Sequence, residues 1–265
     1  MYVSTETLVV ANRAVRRTFE QTCVAWQVIP HWDTGDPAQV DVRSDSPYPP
    51  GYLPMVLREQ QFQVTLAAAQ APTPDTLVAN VIDQTAVLAG VVDTLVFRTV
   101  RTKLPTTSEV NLTGVTPQLI LDKLIVARAN VEKAGYRAPS CLVTTTLGIQ
   151  FLNQLAGGYS VKPSLLDASN VNALHRVEDV LKLDMNGQPD QTDKAEALFF
   201  GRRQRVAPGA AIDATPGEEP VDLAVSIPPS LEVRGETNNM VDLRIRVSLA
   251  TRVKDVDGVT AILRP

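Results

Sequence analysis

The side chains best suited to nucleophilic or acid–base chemistry are scarce in this chain, which has two histidines and two cysteines in 265 residues. His31 and His175 lie on unrelated segments, and neither Cys23 nor Cys141 has a base nearby in sequence. A catalytic nucleophile needs such a base, or a lowered pKa. The sequence also contains no phosphate-binding loop, dinucleotide-binding fingerprint or Gly-x-Ser-x-Gly elbow. We therefore predict no catalytic, cofactor-binding or metal-binding residue.

Two acidic groupings have spacings that other chemistry could use. Residues 255–258 read Asp-Val-Asp-Gly, like the start of a calcium loop, but the later oxygen ligands and the closing glutamate are missing. The two glutamates within residues 217–220 could act as paired carboxylates, but prolines flank them. We interpret the first grouping as a hairpin turn and the second as a solvated loop.

The charge distribution argues against binding nucleic acid by simple neutralisation of phosphates. The formal net charge is -4, whereas proteins that hold nucleic acid in this way are usually basic. Two short basic clusters occur, and we interpret both as solvated or interfacial charge. The clusters are Arg13, Arg16 and Arg17, and Arg202, Arg203 and Arg205.

Targeting signals and disulfide patterns are also missing from the sequence. The chain shows no basic and apolar start typical of a signal peptide, and no apolar run near the ~20 residues that span a bilayer. Cys23 and Cys141 are too few and too far apart for a disulfide framework. We predict synthesis in a reducing cytoplasm and no membrane partner.

Four helices are predicted from apolar periodicity and start signals. Residues 4–22 form an amphipathic pattern. A long helix follows Thr73, has proline in its first turn and extends over about residues 74–97. A second Thr-Pro signal begins a helix over residues 117–134, and a shorter helix covers about residues 147–155.

A proline-rich stretch precedes the long helix. Residues 27–60 contain six prolines and two glycines, which confine regular strands to short segments. Two strands are still predicted, at Gln39–Val42 and at Gln61–Leu66, where apolar and polar residues alternate. Loops of ~30 residues without a core of their own are rare in compact domains. We expect residues 36–66 to form an extended arm that reaches a neighbouring molecule.

The C-terminal half is predicted to be mostly strands from residue 160 onward, after a strand at residues 141–144. Strict alternation over residues 241–254 predicts one strand about 45 Å long, with one half-buried face, at ~3.3 Å per residue. A turn at Asp257-Gly258 is predicted to return the chain as a last strand, residues 259–263.

The order of these elements predicts an α+β fold, and it resembles the capsid fold named after bacteriophage Hong Kong 97. Tailed-phage major capsid proteins and encapsulins share that fold. Residues 83–97 are similar to the family's alanine-rich helix, which ends in an acidic residue and an aliphatic-Phe pair. Residues 135–143 resemble its glycine turn and apolar strand. Residues 230–233 and 241–254 resemble its closing pair of long strands.

The resemblance implies a division of the chain. Residues 1–35 would be the N-terminal helix or arm and residues 36–70 the extended loop. Residues 71–115 and 220–265 would form the peripheral domain, with the long helix as its spine. Residues 116–219 would form the axial domain.

The resemblance also implies self-assembly into an icosahedral shell from pentamers and hexamers. Exposed strand edges of the arm would pair with a neighbouring subunit, and charges on the long strand would set specificity more than affinity. The inter-subunit contact residues expected on this basis are Gln39, Val42, Gln61, Phe62, Val64, Arg244 and Arg246.

Several functions remain open at this point. The first is a phage or prophage capsid protein that encloses double-stranded DNA, assembles in the bacterial cytoplasm and ends in the virion, with scaffold or cement proteins as further partners. The second is an encapsulin shell that encloses a cargo enzyme in the cytoplasm. The N-terminal tryptophan segment typical of encapsulins has no clear counterpart, because Trp26 and Trp32 are displaced. A tail-tube protein, or a monomeric enzyme or binding module, would lack a closed shell.

Overall fold

Two large β-sheets and seven α-helices make up the part of the chain that the structure describes. The structure is a computed structural model that describes residues 3–44, 51–202 and 219–265, with only the backbone described at residues 137–139. The helices are α1 (Thr5–Thr22), α2 (Val24–Val28), α3 (Leu66–Ala69), α4 (Asp75–Lys103), α5 (Pro117–Lys133), α6 (Thr146–Leu152) and α7 (Lys162–Ala168). The strands are β1 (His31–Asp33), β2 (Asp41–Ser44), β3 (Gly51–Pro54), β4 (Val56–Thr65), β5 (Glu109–Asn111), β6 (Arg137–Thr144), β7 (Leu155–Ala156), β8 (Tyr159–Ser160), β9 (Val171–Arg176), β10 (Ala195–Arg202), β11 (Val221–Thr237), β12 (Met240–Val253) and β13 (Val259–Leu263).

Sheet one has the strand order β1-β11-β12-β4. Its centre is the long antiparallel pair of β11 and β12, joined by a two-residue turn in which Asn238 and Asn239 have φ angles of 50° and 69°. Such positive angles match the twist of a tight hairpin, and asparagine tolerates them well. Pro228 and Pro229 lie within β11 where the register shifts between Ile227 and Ser230, as expected of prolines that cannot donate to a ladder.

The predicted long strand is confirmed by β12. Val241, Leu243 and Ile245 are buried, and the residues between them are half-buried. The alternation follows from the pleat, which sends successive side chains to opposite faces. The inward face of β12 packs against α4 and that of β11 against α1, so sheet one and these helices enclose the main core.

Helix α4 provides most of the helical side of this core. Its buried face includes Leu77, Val81, Leu88, Val92 and Val96, as the periodicity predicts. The helix continues to Lys103, six residues beyond the predicted end at Phe97. It continues because the buried face of the helix extends through Val100 to Arg101. A pattern of apolar residues does not reveal that Arg101 is buried, because its side chain is charged.

By length and composition alone, α4 is also able to span a bilayer, although no membrane-spanning run was predicted from the sequence. Eleven of its residues are buried within the chain, including Asp93 and Arg101. A helix that buries ionised side chains against its own fold is the core helix of a folded domain.

Sheet two has the order β5-β13-β10-β6-β9 and lies between α4 and α5. Leu198 and Phe200 of β10 face the main core, where the Phe200 ring lies 6.2 Å from that of Phe97. Ala197 and Phe199 face a second core under α5, α6 and α7. Helix α5 matches its prediction, with Thr116 accepting a hydrogen bond from the Leu119 nitrogen.

The C-terminal half is mostly strand after residue 160, as predicted, although it also contains the short helix α7. Two other predictions about this half were wrong. The helix predicted to reach Leu155 ends at Leu152, and a small hairpin follows. Strand β13 does not return along β12: a 3₁₀ turn at Val256–Gly258 sends it into sheet two, beside β10 and β5.

Candidate assembly surfaces

The base of the predicted arm is fixed to sheet one. Strands β2 and β3 form a hairpin in which Val42 lies opposite Leu53. Val42 is buried against Ala224 and Ala250 of sheet one. The predicted strand at Gln39–Val42 starts two residues late, because residues 36–39 form a turn closed by a hydrogen bond from the Gln39 nitrogen to the Asp36 carbonyl. The arm therefore has a small core at its base, which its composition did not indicate.

A buried ion pair holds the same hairpin from below. The Arg252 guanidinium donates to both carboxylate oxygens of Asp222 at 2.6 and 2.7 Å, and its third nitrogen donates to the Arg43 carbonyl at 3.1 Å. The guanidinium carbon lies 4.9 Å from the Trp32 ring centre. Bidentate pairing and stacking over a ring both depend on the planar guanidinium. The base of the arm is thus held rigidly. Residues 45–50 lie outside the described part.

Strand β4 forms an edge of sheet one, with β12 on one side only. Its inward positions include Phe62 and Val64, and Val64 is buried in the main core. Gln61 and Gln63 face outward and are exposed. Gln60 donates to Gln84 of α4 at 2.8 Å, which fixes the strand against the spine. Within the described residues, the second backbone edge of β4 has no strand partner, and such an edge can accept another chain.

The two arginines predicted to contact a neighbour are paired within the chain. Arg244 donates to Glu59 at 2.8 Å and to Glu232 at 2.7 Å, and Arg246 also pairs with Glu232. All four side chains remain partly exposed, with 20–32% of their side-chain area accessible. A neighbour would therefore meet a network that is already neutralised. Val42 and Val64 are buried, so they offer no side-chain surface, and the remaining contact residues stay predictions.

The outward face of α4 is mostly apolar. Ile82, Val87 and Val91 are 41%, 50% and 44% exposed, Ala86 and Gly90 lie between them, and Asp83 is an exposed charge on the same face. A mostly apolar stripe on an ordered helix is typical of a surface that another molecule covers.

Helix α1 presents a different surface. Arg13, Arg16 and Arg17 are exposed on its outer side, and none of them forms an ion pair with a described residue. Arg202 of the second basic cluster is buried, whereas Arg203 and Arg205 lie outside the described residues. The three arginines of α1 thus form an exposed basic group on one face of that helix.

The two cysteines are buried, whereas His31 is exposed and His175 is half-buried. Burial raises the pKa of the Cys23 thiol well above its usual value, and that of Cys141 to about 11. Partial desolvation lowers the pKa of His31 and of His175. The His31 ring stacks on Trp26, with centres 3.8 Å apart. Thiols held in the protonated form are poor nucleophiles, so this arrangement suits packing rather than catalysis.

The acidic turn before β13 uses its oxygens within the fold. Asp255 accepts hydrogen bonds from the Asp257 nitrogen at 3.0 Å and from the Tyr136 hydroxyl at 2.9 Å. This pattern stabilises the 3₁₀ turn that carries the chain from sheet one to sheet two. Residues 217 and 218 of the other acidic grouping lie outside the described residues.

No metal site emerges from the described part of the chain, and its larger depressions, such as the one of about 580 Å³ between β4 and the tip of the β11–β12 hairpin, are open to solvent. No group of three or more histidine, cysteine or carboxylate side chains there is placed to hold a metal ion. An apolar cavity between α5, α6 and sheet two, next to Phe151, measures about 30 Å³. Binding pockets for small molecules usually measure about 300–1,000 Å³.

Comparisons with known proteins identify the fold. No family model and no curated protein matches the sequence. The structure matches the virus-like particle protein of Pyrococcus furiosus with a TM-score of 0.68 and 13% identity, over 97% of this chain and 100% of that one. It matches a phage-related protein of Bordetella bronchiseptica at 0.65 and 10%, over 96% of both chains.

A third likeness is to an encapsulin. The shell protein of the SrpI encapsulin complex from Synechococcus elongatus matches with a TM-score of 0.52 and 9% identity, over 89% of this chain and 84% of that one. Together these likenesses show that the chain has the Hong Kong 97-type capsid fold. At such low identity they establish the fold alone.

Proposed function

We propose that the chain is a structural subunit of a closed icosahedral shell, most simply the major capsid protein of a tailed phage or prophage that encloses double-stranded DNA. The single observation that carries this proposal is the likeness to a virus-like particle protein over 97% of the chain. The role that we infer for the chain is therefore structural rather than enzymatic.

The geometry of the arm supports the same proposal. Val42 and Arg252 hold the base of the β2–β3 hairpin, while the exposed Tyr52 lies on the outer part of the arm. A rigid base beside an exposed aromatic side chain suits contact with another subunit. The outer edge of β4 offers a second contact through backbone pairing. Among the predicted residues, Gln39, Gln61, Phe62, Arg244 and Arg246 remain available for such contacts.

The domain division of the family is part of the proposal, although one sheet contains strands from both domains. Residues 36–70 are the extended loop, residues 71–115 and 220–265 the peripheral domain, and residues 116–219 the axial domain. Strands β5 and β13 belong by sequence to the peripheral part but pair in sheet two with β10. We therefore expect the two domains to move as one body, with pentamers and hexamers built from whole subunits.

The contents of the shell distinguish two versions of this function. The exposed arginines of α1, Arg13, Arg16 and Arg17, suit the phosphates of DNA. A net charge of -4 provides little attraction for DNA, so packaging would need work from other proteins. Scaffold or cement proteins are expected as further partners in the assembly of the shell. The capsid would assemble in the bacterial cytoplasm and end in the virion.

An encapsulin that encloses a cargo enzyme is the second version. The apolar stripe of α4 with Ile82, Val87 and Val91 favours it, because such a surface suits a protein segment better than a phosphate backbone. In this version the shell stays in the bacterial cytoplasm.

Purification followed by electron microscopy and light scattering tests the shell itself. We expect uniform hollow particles of megadalton mass. A chain that stays monomeric, both alone and in the cells that naturally produce it, would contradict the proposal. Absorbance spectra of nuclease-treated particles then separate the two versions, because protected DNA indicates a capsid and a co-purifying protein indicates an encapsulin.

A further inference from the structure

The two backbone edges of sheet one differ. At one edge, β4 pairs with β12 along its whole length without a shift of register. At the other edge, β1 covers β11 only at Leu223–Val225, although β11 continues to Thr237. Within the described residues, no strand pairs with the outer edge of β11 beyond Val225. An open strand edge of this kind can pair with strands of other molecules.

The side chain of Asn12 in α1 occupies this edge at Leu231. Its amide oxygen accepts a hydrogen bond from the Leu231 nitrogen at 2.9 Å, and its amide nitrogen donates to the Leu231 carbonyl at 3.4 Å. A residue in an antiparallel ladder exchanges both of these bonds with one partner, so the amide takes the place that a residue of an added strand would have. The amide nitrogen also donates to the Leu8 carbonyl at 3.1 Å, which fixes its direction.

Two further features make the same edge a poor partner for another strand. Pro228 and Pro229 lie on one side of Leu231, and prolines have no N–H to donate to a ladder. On the other side, the register of β11 shifts between Val233 and Gly235, and such bulges bend and twist a strand. Natural proteins protect exposed sheet edges with prolines, bulges and covering elements. Strand β11 therefore has a protected edge, with Asn12 at its middle.

The Asn12 amide is not what buries α1. Ala11, Val15 and Phe19 of this helix are fully buried in the main core, whereas Asn12 is half-buried. Asparagine is a weaker helix former than alanine or leucine, so its position within α1 costs helix stability. Its contacts indicate a different role, which is to satisfy two backbone groups at the edge of β11.

We propose that Asn12 determines the specificity of assembly, because its amide prevents strands of other copies of this chain from pairing with β11 at Leu231. Strand pairing between copies at sheet one is then confined to β4. This inference rests on the proposed shell function, in which β4 offers its edge to a neighbour. With both edges open, subunits would also join in arrangements that do not close into a shell.

Asn12→Ala tests this role. Alanine leaves space beside Leu231, favours the helix and adds no large apolar surface. We expect the fraction of chains in uniform particles to fall at least about threefold, with irregular aggregates in their place. Light scattering and electron microscopy measure both fractions.

Asn80→Ala is the matched control. The Asn80 amide also donates to a carbonyl of its own helix, that of Thr76 at 2.8 Å, but it lies on α4 and not at the edge of β11. This variant should assemble like the unmodified chain.

Hydrogen exchange separates blocking of the edge from simple support of α1. If β11 pairs with another copy, the amide protons of residues 230–235 should exchange at least about tenfold more slowly in Asn12→Ala aggregates than in the soluble Asn12→Ala chain. If the amide only holds α1 in place, these protons should exchange faster than in the unmodified chain in both samples. Mass spectrometry of peptic fragments measures the rates.

The outcomes separate this inference from the proposed function. Normal particles from Asn12→Ala would overturn the inference while the shell function stands. Chains that stay monomeric, or aggregates without slower exchange at residues 230–235, would also overturn it. If the unmodified chain formed no particles, the proposed function would be contradicted instead. Asn12→Ala should even then aggregate at concentrations at which the unmodified chain stays soluble, and equal solubility would overturn the inference.

Discussion

The Asp93 carboxylate lies 2.7 Å from the backbone nitrogen of Ala25, so a side chain in the middle of α4 caps the short helix α2. The same carboxylate accepts from the Val24 nitrogen at 3.1 Å and from the Cys23 thiol at 3.2 Å. This cluster fixes the N-terminal helices to the spine. Burial raises the pKa of Asp93 from 3.8 to about 6, because desolvation outweighs the three hydrogen bonds.

The raised pKa predicts an unusual pH dependence. The folded chain binds the Asp93 proton more tightly than the unfolded chain, so the stability from this group is complete below pH 3.8 and is lost as the pH rises through about 6. The loss amounts to roughly 3 kcal/mol for a shift of about two pKa units. Urea unfolding of unassembled chains between pH 4 and 7 measures it.

Asp93→Asn is the matched variant, because asparagine has the shape of the protonated acid and does not titrate. The difference in unfolding free energy between the two chains should change over this pH range. Parallel profiles would show that Asp93 has an ordinary pKa.

A second prediction concerns the buried arginine near the end of α4. Arg101 donates to both oxygens of Asp193 at 3.0 and 2.8 Å and to Glu109 at 2.7 Å. Arg101→Met would leave the buried Asp193 carboxylate without its partner, so we expect the unfolding free energy to fall by about 3–5 kcal/mol. Chemical denaturation measures the change.

Arg128 provides the control for this variant, since its pair with Glu132 is exposed on α5. Arg128→Met should cost no more than about 0.5 kcal/mol. The double variant Arg101→Met with Asp193→Asn should regain part of the loss, and equal costs for the two single arginine variants would contradict the assignment.

Shortening the arm separates folding from assembly. Val42 and Leu53 lie directly opposite each other, so an Asn-Gly turn can replace residues 43–52 and close the hairpin. The small core at the base of the arm is kept, and we expect the urea midpoint to change little while particles disappear. Electron microscopy and light scattering give the result. Normal particles from the shortened chain would show that the arm makes no essential contact.

The two thiols should be inert in the folded chain. Both cysteines are fully buried, and burial raises the pKa of each thiol, to about 11 for Cys141. At pH 8 we expect no reaction with an aromatic disulfide reagent until the chain is denatured, after which two thiols per chain react. Rapid modification of either cysteine in native particles would contradict the buried positions.

Periodicity predicted the long elements well. In β12 each apolar residue from Val241 to Leu249 is buried, and in α5 the Thr-Pro start signal and the buried face are both present. These patterns are readable because a single face of each element is buried over many residues. Short elements escaped prediction: α7 has seven residues, and β7 and β8 have two each, too few to repeat a pattern.

Pairing between distant segments was not predictable from the sequence. Nothing in residues 259–263 distinguishes a strand that returns along β12 from one that enters sheet two, because both would be apolar. Burial of Arg101 and the capping role of Asp93 likewise depend on partners far along the chain. For the assembly surfaces, the arm was predicted from its prolines, but the burial of Val42 and Val64 within the same chain was not predicted.

The seating of β4 has a mechanical consequence. All ten residues of β4 pair with β12, from Thr65 opposite Met240 to Val56 opposite Leu249. Because the arm joins β4 at its Val56 end, tension drawn along the strand by a neighbour loads every rung of this ladder in shear at once. Hydrogen bonds that are loaded together share the force, whereas a force that peeled β4 from β12 would break these bonds one after another. A wall built from such subunits is suited to resist stretching from within.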